Sequence, residues 1–273
     1  MCRILGSVAR RPVSLRHELT EAPNPLIRQA EEHDSGWGMA LHPEPDGGAP
    51  AVRRFVRAAH ADPGFQAATE ATGRIFNVHV RRATMGGLTL ENTHPFVRGP
   101  VALGHNGTVL HHHRLLEPGV RPPLGQTDTE HLFEHLMRDW DPGDVAGSLR
   151  ATVRAVIARS RFSGVNLLLS DGRRLHAYRL GVFELHWLAR PGQLLVASER
   201  VTDEDWRPVD QDVLLTLDPD DPSAPRAERL VGDAWLERAD IVRFKEGTGL
   251  RGEERGAFAA QRAARLAGTG AGP

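Results

Sequence analysis

MCRILGSVA, residues 1–9, decides how this chain is read. Cys2 to Ala9 is a short strand-like run that begins at the terminus itself, where chains usually fray. A strand placed there implies that its first residue has to be held in a fixed position. That residue is Cys2, the chain's one cysteine, directly behind Met1. Methionine aminopeptidases generally remove Met1 when the next side chain is small, so Cys2 is expected to become the first residue of the mature protein.

Working outward, Asn24, Pro25 and Leu26 open a helix running through Ala30, and a Gly36-Trp37-Gly38 turn leads into a second strand. VRRFVRAAHAD (52–62) has helical periodicity, while FNVHVRRAT (76–84) alternates as a strand does. VALGHNGTVL (101–110) reads as a strand pair bent at Asn106 and Gly107. Thr127 and Glu130 have capping-box spacing ahead of an amphipathic helix in QTDTEHLFEHLMRDW (126–140), and GDVAGSLRATVRAVIARS (143–160) is a second long helix. Four runs between 165 and 199 form a meander of strands with glycine turns, and short strand pieces follow Asp210. Strands and helices are segregated rather than alternating, which favours α+β with antiparallel sheets over a Rossmann arrangement. One domain over residues 2–245 is expected, followed by a helix-prone tail at 246–273. There is no internal repeat, and DPDDPSAP is a loop rather than a linker.

The chain has 273 residues, 40% hydrophobic and 25% charged, as expected of a globular protein with a sizeable core. With 34 basic and 35 acidic residues the net charge is −1, which argues against nucleic acid or an anionic membrane as partner. Lys245 is the only lysine. One cysteine cannot form an internal disulfide, and the first residues carry too short an apolar run for a signal peptide or membrane span; a cytoplasmic protein is expected.

Cys2, His33-Asp34-Ser35-Gly36-Trp37-Gly38, His79-Val80-Arg81-Arg82-Ala83-Thr84, Asn92-Thr93-His94-Pro95-Phe96, Gly104-His105-Asn106-Gly107 and Thr127-Asp128-Thr129-Glu130 occur in one order. This ordered set resembles the class II glutamine amidotransferases over roughly residues 2 to 200. NTHPF points to the stand-alone branch that includes YafJ-like proteins and the γ-glutamyl amidohydrolase of ergothioneine biosynthesis. The resemblance implies the N-terminal-nucleophile (Ntn) hydrolase fold, a four-layer αββα sandwich of two antiparallel sheets. It also implies an amidohydrolase that cleaves a γ-glutamyl amide, glutamine or a larger conjugate, through a thioester on Cys2.

That chemistry explains the opening residues. A thiol is a good nucleophile only as a thiolate. A free α-amine, with a pKa of roughly 7.7 to 8.0, is partly neutral at physiological pH and can take the proton from its own residue's sulfur through a water, then return it to the leaving amine. By the same resemblance Asn106 offers its side-chain amide and Gly107 its backbone N–H to the oxyanion, each such donor worth about 3 to 4 kcal/mol of barrier. The missing Cβ of Gly107 would let substrate approach closely, although Asn-Gly is also a hairpin signal. Arg81 is the candidate for the substrate α-carboxylate, with Thr84 helping, and Asp128 for the α-ammonium. A solvated strand arginine and a helix N-terminal carboxylate are the plainer readings of those two. His94 is carried over as a substrate-site residue or as one that orders the loop beneath Arg81.

Gly36, Trp37 and Gly38 either shape a wall near the nucleophile or surround a core tryptophan. Ser198 and Glu199 are expected to give supporting hydrogen bonds. Arg82 and Met85 depart from the Trp and His of the synthase-linked enzymes, so Arg82 is either a contact for a larger substrate or an exposed strand residue. His111, His112 and His113 cannot all face one ion on a strand, so no metal is expected, and no cofactor motif is present. Three functions stay open: a γ-glutamyl hydrolase, a glutaminase passing ammonia to a separate acceptor synthase, and an inactive binding relative. Only about 70 residues follow the motifs, too few for a synthase domain.

Overall fold

The computed structural model describes residues 2–243; the expected tail at 246–273 and Met1 lie outside them. In chain order come β1 (Arg3–Val13), α1 (Leu26–Gln29), β2 (Trp37–His42), β3 (Ala51–Phe55), α2 (Pro63–Thr69), β4 (Gly73–Val80), β5 (Phe96–Arg98) and β6 (Val101–Val109). Helices α3 (Asp128–Arg138) and α4 (Val145–Arg159) precede β7 (Arg161–Ser170), β8 (Leu175–Arg179), β9 (His186–Arg190) and β10 (Gln193–Ala197). The last elements are β11 (Arg207–Pro208), β12 (Val213–Leu217), β13 (Arg226–Arg229), α5 (Asp233–Leu236) and β14 (Asp240–Ile241).

One sheet has the order β11-β9-β10-β1-β4-β2-β3 and the other β13-β12-β8-β7-β6-β5, with β14 pairing β7. Every pairing is antiparallel except the short β14 to β7 contact. Three apolar layers hold the stack. Ile4, Val8, Ile75, Leu168 and Leu194 fill the space between the sheets. Leu5, Trp37, Phe65, Phe76 and Val80 pack the first sheet under α1 and α2. Leu103, Val109, Leu132, Val153 and Phe162 pack the second under α3 and α4. The result is the four-layer αββα sandwich.

Period-two alternation assigns each strand residue to one of those layers. On β1, Ile4 and Val8 face the other sheet while Leu5 faces the helices. Gly6 lies on the inner face, where an added Cβ would come within 2.6 Å of Leu175, so the sheets touch too closely there for any side chain. On β4, Ile75 faces inward and Phe76, Val78 and Val80 outward. Asn77, next on the inner row, donates its amide to the carbonyls of Ala102 at 3.1 Å and Leu168 at 2.8 Å, fastening one sheet to the other.

Three local expectations are corrected. Residues 52–62 form no α-helix: only Ala59–Ala61 make a single 3-10 turn, and 51–55 are the edge strand β3, in register with β2 from Trp37↔Phe55 to Leu41↔Ala51. Its residues are mostly exposed, so their periodicity carries little information and backbone pairing decides the conformation. The helix begins later, at Pro63, where Asp62 caps Gly64 N–H. VALGHNGTVL is one unbroken strand, because β7 pairs with it from Ala102 to Val109. The meander is two hairpins in different sheets: β7 pairs β8, and β9 pairs β10. At α3 the expected cap is present, Thr127 Oγ1 accepting Glu130 N–H at 3.2 Å. Glu130 does not close the box; its carboxylate accepts the N–H groups of Leu124 and Gly125 instead.

Candidate active site

The inner rows of three strands converge at one end of the sandwich. Register pairs Arg3 with Val80 and Ile4 with His79, so Cys2 continues the inner row of β1 opposite Arg81, which continues that of β4. Arg81 is also fixed on its far side, donating its N–H to Gly36 O at 2.8 Å and accepting from Ser35 N–H at 2.9 Å. On β6 the inner row is Gly104, Asn106 and Thr108; an added Cβ on Gly104 would touch Asn77, His79 and Ile4. The Cys2 thiol, the Arg81 guanidinium and the Asn106 carboxamide thus arrive together by parity.

Cys2 is buried, 8% exposed. Its S–H donates to Arg82 O at 3.6 Å. Ile4 N–H donates to Ser198 Oγ at 3.1 Å and Ser198 N–H to Ile4 O at 3.0 Å, so the end of β10 clamps the start of β1. Ser198 therefore has the supporting role expected of it, while Glu199 pairs with Arg3 at 3.3 Å. Burial raises the Cys2 pKa, opposed by Arg81 and reinforced by the Asp128 carboxylate. The surrounding protein keeps the sulfur as a thiol, so nucleophilic chemistry there requires a base.

Arg81 is 1% exposed and depressed to about pKa 10 by burial, against the attraction of Cys2 and Asp128. Its Nη2 donates to Met85 O at 3.0 Å and Nη1 to Gly87 O at 3.0 Å, wrapping the loop after β4 around the guanidinium. Within that loop Thr84 Oγ1 accepts from Thr108 Oγ1 at 3.2 Å, which ties it to β6. Met85 Sδ accepts Asp128 N–H at 3.2 Å, so the loop also reaches the start of α3. Asp128 accepts Val109 N–H on Oδ2 at 2.7 Å and Thr129 N–H on Oδ1 at 2.9 Å. Thr129 Oγ1 adds a longer contact to Oδ1 at 3.5 Å, while Oδ2 carries the one bond and keeps a lone pair for a cation.

Asn106 is 2% exposed, and its Oδ1 has no hydrogen-bond partner among the described residues. Gly107 occupies the outer row. An added Cβ would lie 1.8 Å from Gly164 O and 2.5 Å from His105 Nε2, so the neighbouring strand, rather than an approaching substrate, excludes any side chain there. Val109 turns its N–H away from β7 to Asp128. By the two-residue repeat Gly107 turns its N–H to the same edge, which β5 leaves uncovered beyond Leu103.

Residues 1–207 match the class II glutamine amidotransferases. The chain belongs to that family. An uncharacterized protein of Methanocaldococcus jannaschii is 30% identical over 76% of this chain and 58% of its own length, so the match spans less than two thirds of that relative. The candidate glutamine amidotransferase YafJ of Escherichia coli is 29% identical over 72% of this chain and 80% of its own. The glutamine phosphoribosylpyrophosphate amidotransferase of B. subtilis shares the fold, with a TM-score of 0.62 at 16% identity over 85% of this chain and 50% of that one. The stand-alone YafJ-like branch fits, and the sandwich is that of the Ntn-type amidotransferases.

In this family member the remaining motif residues divide clearly. Trp37 is a core side chain, stacked on Phe55 at 5.1 Å and donating Nε1–H to Asp62 at 2.8 Å, so it does not wall the nucleophile. An added Cβ on Gly38 would sit 2.1 Å from His94 O; the glycine lets the 92–96 segment cross β2. His94 is buried against His79, ring centroids 4.1 Å apart, and neither ring nitrogen has a partner among the described residues. Burial holds His94 well below the usual imidazole range and His79 at about 3, with Arg81 adding repulsion, so both are neutral. His94 lies in the packing behind Arg81. His112 meets His131 edge to face at 4.4 Å, and among the described residues no group of three or more His, Cys, Asp or Glu is arranged to hold a metal. Thr108 and Asn77 carry no motif signal in the sequence; the inner-row parity of β4 and β6 points to both.

Proposed function

We propose that this chain hydrolyses a γ-glutamyl amide, glutamine or a larger conjugate, through a thioester on Cys2. The observation that carries the reading is geometric: strand register sets buried Cys2 opposite buried Arg81, and Asp128 is tied both to β6 through Val109 N–H and to the Arg81 loop through Met85. A cation and an anion beside one sulfur suit the α-carboxylate and α-ammonium of a glutamyl group, each of which is costly to bury unpaired.

With Met1 removed, the α-amine of Cys2 accepts the Sγ proton, and the sulfur attacks the γ-carbonyl carbon. Asn106 Nδ2 and Gly107 N–H donate to the oxyanion. The C–N bond breaks as the proton passes to the leaving amine, leaving a Cys2 thioester. Water then attacks the thioester, glutamate departs, and the thiol regains its proton. Arg81 holds the α-carboxylate as a planar fork, Thr84 assists from its loop, and Asp128 holds the ammonium. His94 keeps Arg81 in place from behind.

Intact-mass analysis before and after 6-diazo-5-oxo-norleucine tests this directly. The expected result is a protein lacking Met1 that gains one γ-glutamyl-type adduct on Cys2, and no adduct in Cys2→Ala. An unmodified wild-type protein, or an adduct elsewhere, removes the assignment.

A further inference from the structure

The His33-Asp34-Ser35 stretch ahead of β2 has no part in the chemistry above, yet it is built into the same end of the sandwich. Ser35 N–H donates to Arg81 O at 2.9 Å, so the stretch runs beside the end of β4. Two clefts meet there. One, of about 450 Å³, has Asn106, Arg82 and Ser198 on its walls, and the other, of about 260 Å³, has Asn24 and Gln29. His33 lines both, although the residue is only 2% exposed.

The ring is held in one tautomer. Nδ1 lies 2.7 Å from Gln29 O, and a carbonyl oxygen can only accept, so Nδ1 carries the hydrogen and Nε2 the lone pair. With Nδ1 turned back to α1, Nε2 is the edge of the ring left for the clefts. Burial, and then the Arg3 cation, lower the His33 pKa to about 4 against the pull of the Gln29 bond, so the imidazole is neutral near pH 7. The larger cleft is thus given an uncharged acceptor.

Strand register shows what such an acceptor meets. Cys2 stands opposite Arg81, so the chain before it points to the place opposite Arg82, on the wall of the larger cleft. Removal of Met1 leaves the α-amine of Cys2 at that place. Of the charged groups around it, Arg3, Arg82 and Arg243 can only donate. Glu32, Glu184 and Glu199 would bind the amine as an ammonium and raise its pKa, which spoils it as a base near neutral pH. Glu199 is moreover taken up by Arg3 at 3.3 Å. A neutral imidazole accepts one N–H of the free amine and leaves the amine's own lone pair for Sγ–H.

Resting on the thioester reading above, we propose that His33 is a positioning residue, whose Nε2 accepts an N–H of the α-amine of mature Cys2 and turns the amine's lone pair to the sulfur. The proton moves from Sγ to the amine and from there to the leaving group. None passes to His33.

The test follows the rate at which 6-diazo-5-oxo-norleucine modifies Cys2 across pH 5 to 9, read by intact mass on the full-length protein lacking Met1, with a thermal melt of each variant. In His33→Asn the carboxamide can replace Nδ1–H toward Gln29 O but puts nothing in the place of Nε2. In His33→Gln an acceptor oxygen reaches that place. His33→Asn is expected to label about tenfold more slowly at its plateau, the worth of one hydrogen bond, with melting unchanged. The acid limb of its profile should lie about one pH unit lower, because the ammonium loses an acceptor too. His33→Gln should recover most of both. Wild-type rates and midpoint in His33→Asn, or equal losses in both variants together with a lowered melting temperature, overturn the positioning role while wild-type labelling leaves the thioester reading intact. A wild-type protein that is not labelled on Cys2 overturns both.

Discussion

Val109 donates its backbone N–H to Asp128 Oδ2 at 2.7 Å, joining the open edge of β6 to the first turn of α3. One carboxylate thus fixes the strand that carries Asn106 and Gly107 and also faces Cys2 and Arg81. Its structural duty and its proposed binding duty are separable. Asp128→Asn keeps an acceptor for Val109 and loses the charge, so KM for a γ-glutamyl amide should rise about 10- to 100-fold, as for a charge-assisted hydrogen bond of about 1.5–3 kcal/mol, with little change in melting temperature. Asp128→Ala should lower both affinity and thermal stability. Steady-state kinetics beside a thermal melt separates the two.

Asn106 Oδ1 supports nothing in the fold. Asn106→Ala should therefore leave stability within about 1 kcal/mol while kcat falls about 10²–10³-fold, the loss typical of one oxyanion donor. An unchanged kcat would mean the carboxamide does not meet the developing charge.

Ser198 accepts the N–H of Ile4 two residues from Cys2. Ser198→Ala leaves that buried donor unpaired, at about 1–3 kcal/mol, and frees the start of β1. Both the melting temperature and kcat should drop, whereas a variant that melts lower yet turns over normally would show that Cys2 is held by other contacts.

Gly107→Ala drives a methyl group into Gly164 O. Backbone cannot give as a side chain can, so the variant should be insoluble or destabilised by at least about 3 kcal/mol. Gly104→Ala meets Asn77 Oδ1 at 3.1 Å and only looser contacts beyond, and should lose much less on the same urea titration.

Stability should fall in mild acid. Burial lowers His33 and His131 to about 4 and His79 to about 3. Below the unfolded value near 6.5 the unfolded chain binds protons that the folded one refuses, so each group withdraws up to about 1.4 kcal/mol per pH unit as pH falls from 6.5 toward its folded pKa. Melting temperatures taken between pH 7 and 4.5 check the sign; a flat profile would mean these imidazoles are protonated in the folded state.

Much of the site was legible because its chemistry sits in short ordered motifs: Cys2 behind Met1, Arg81, Asn106 with Gly107, and the Thr127 cap that places Asp128 in the first turn of α3. The pattern of β1, α3 and α4 was equally plain, since each has an apolar period set by its own residues. The sequence by itself determined the strand character of β1, the helices α3 and α4, and the residue types available at the candidate site. It did not determine that 51–55 pair as an edge strand, that β8 and β9 part into different sheets, that Trp37 turns into the core, or that Gly107 is required by Gly164. Those were decided only in the tertiary structure, because each depends on a backbone neighbour far away in the chain, and hydrogen-bond ladders and close sheet contacts leave no periodic trace in the local sequence.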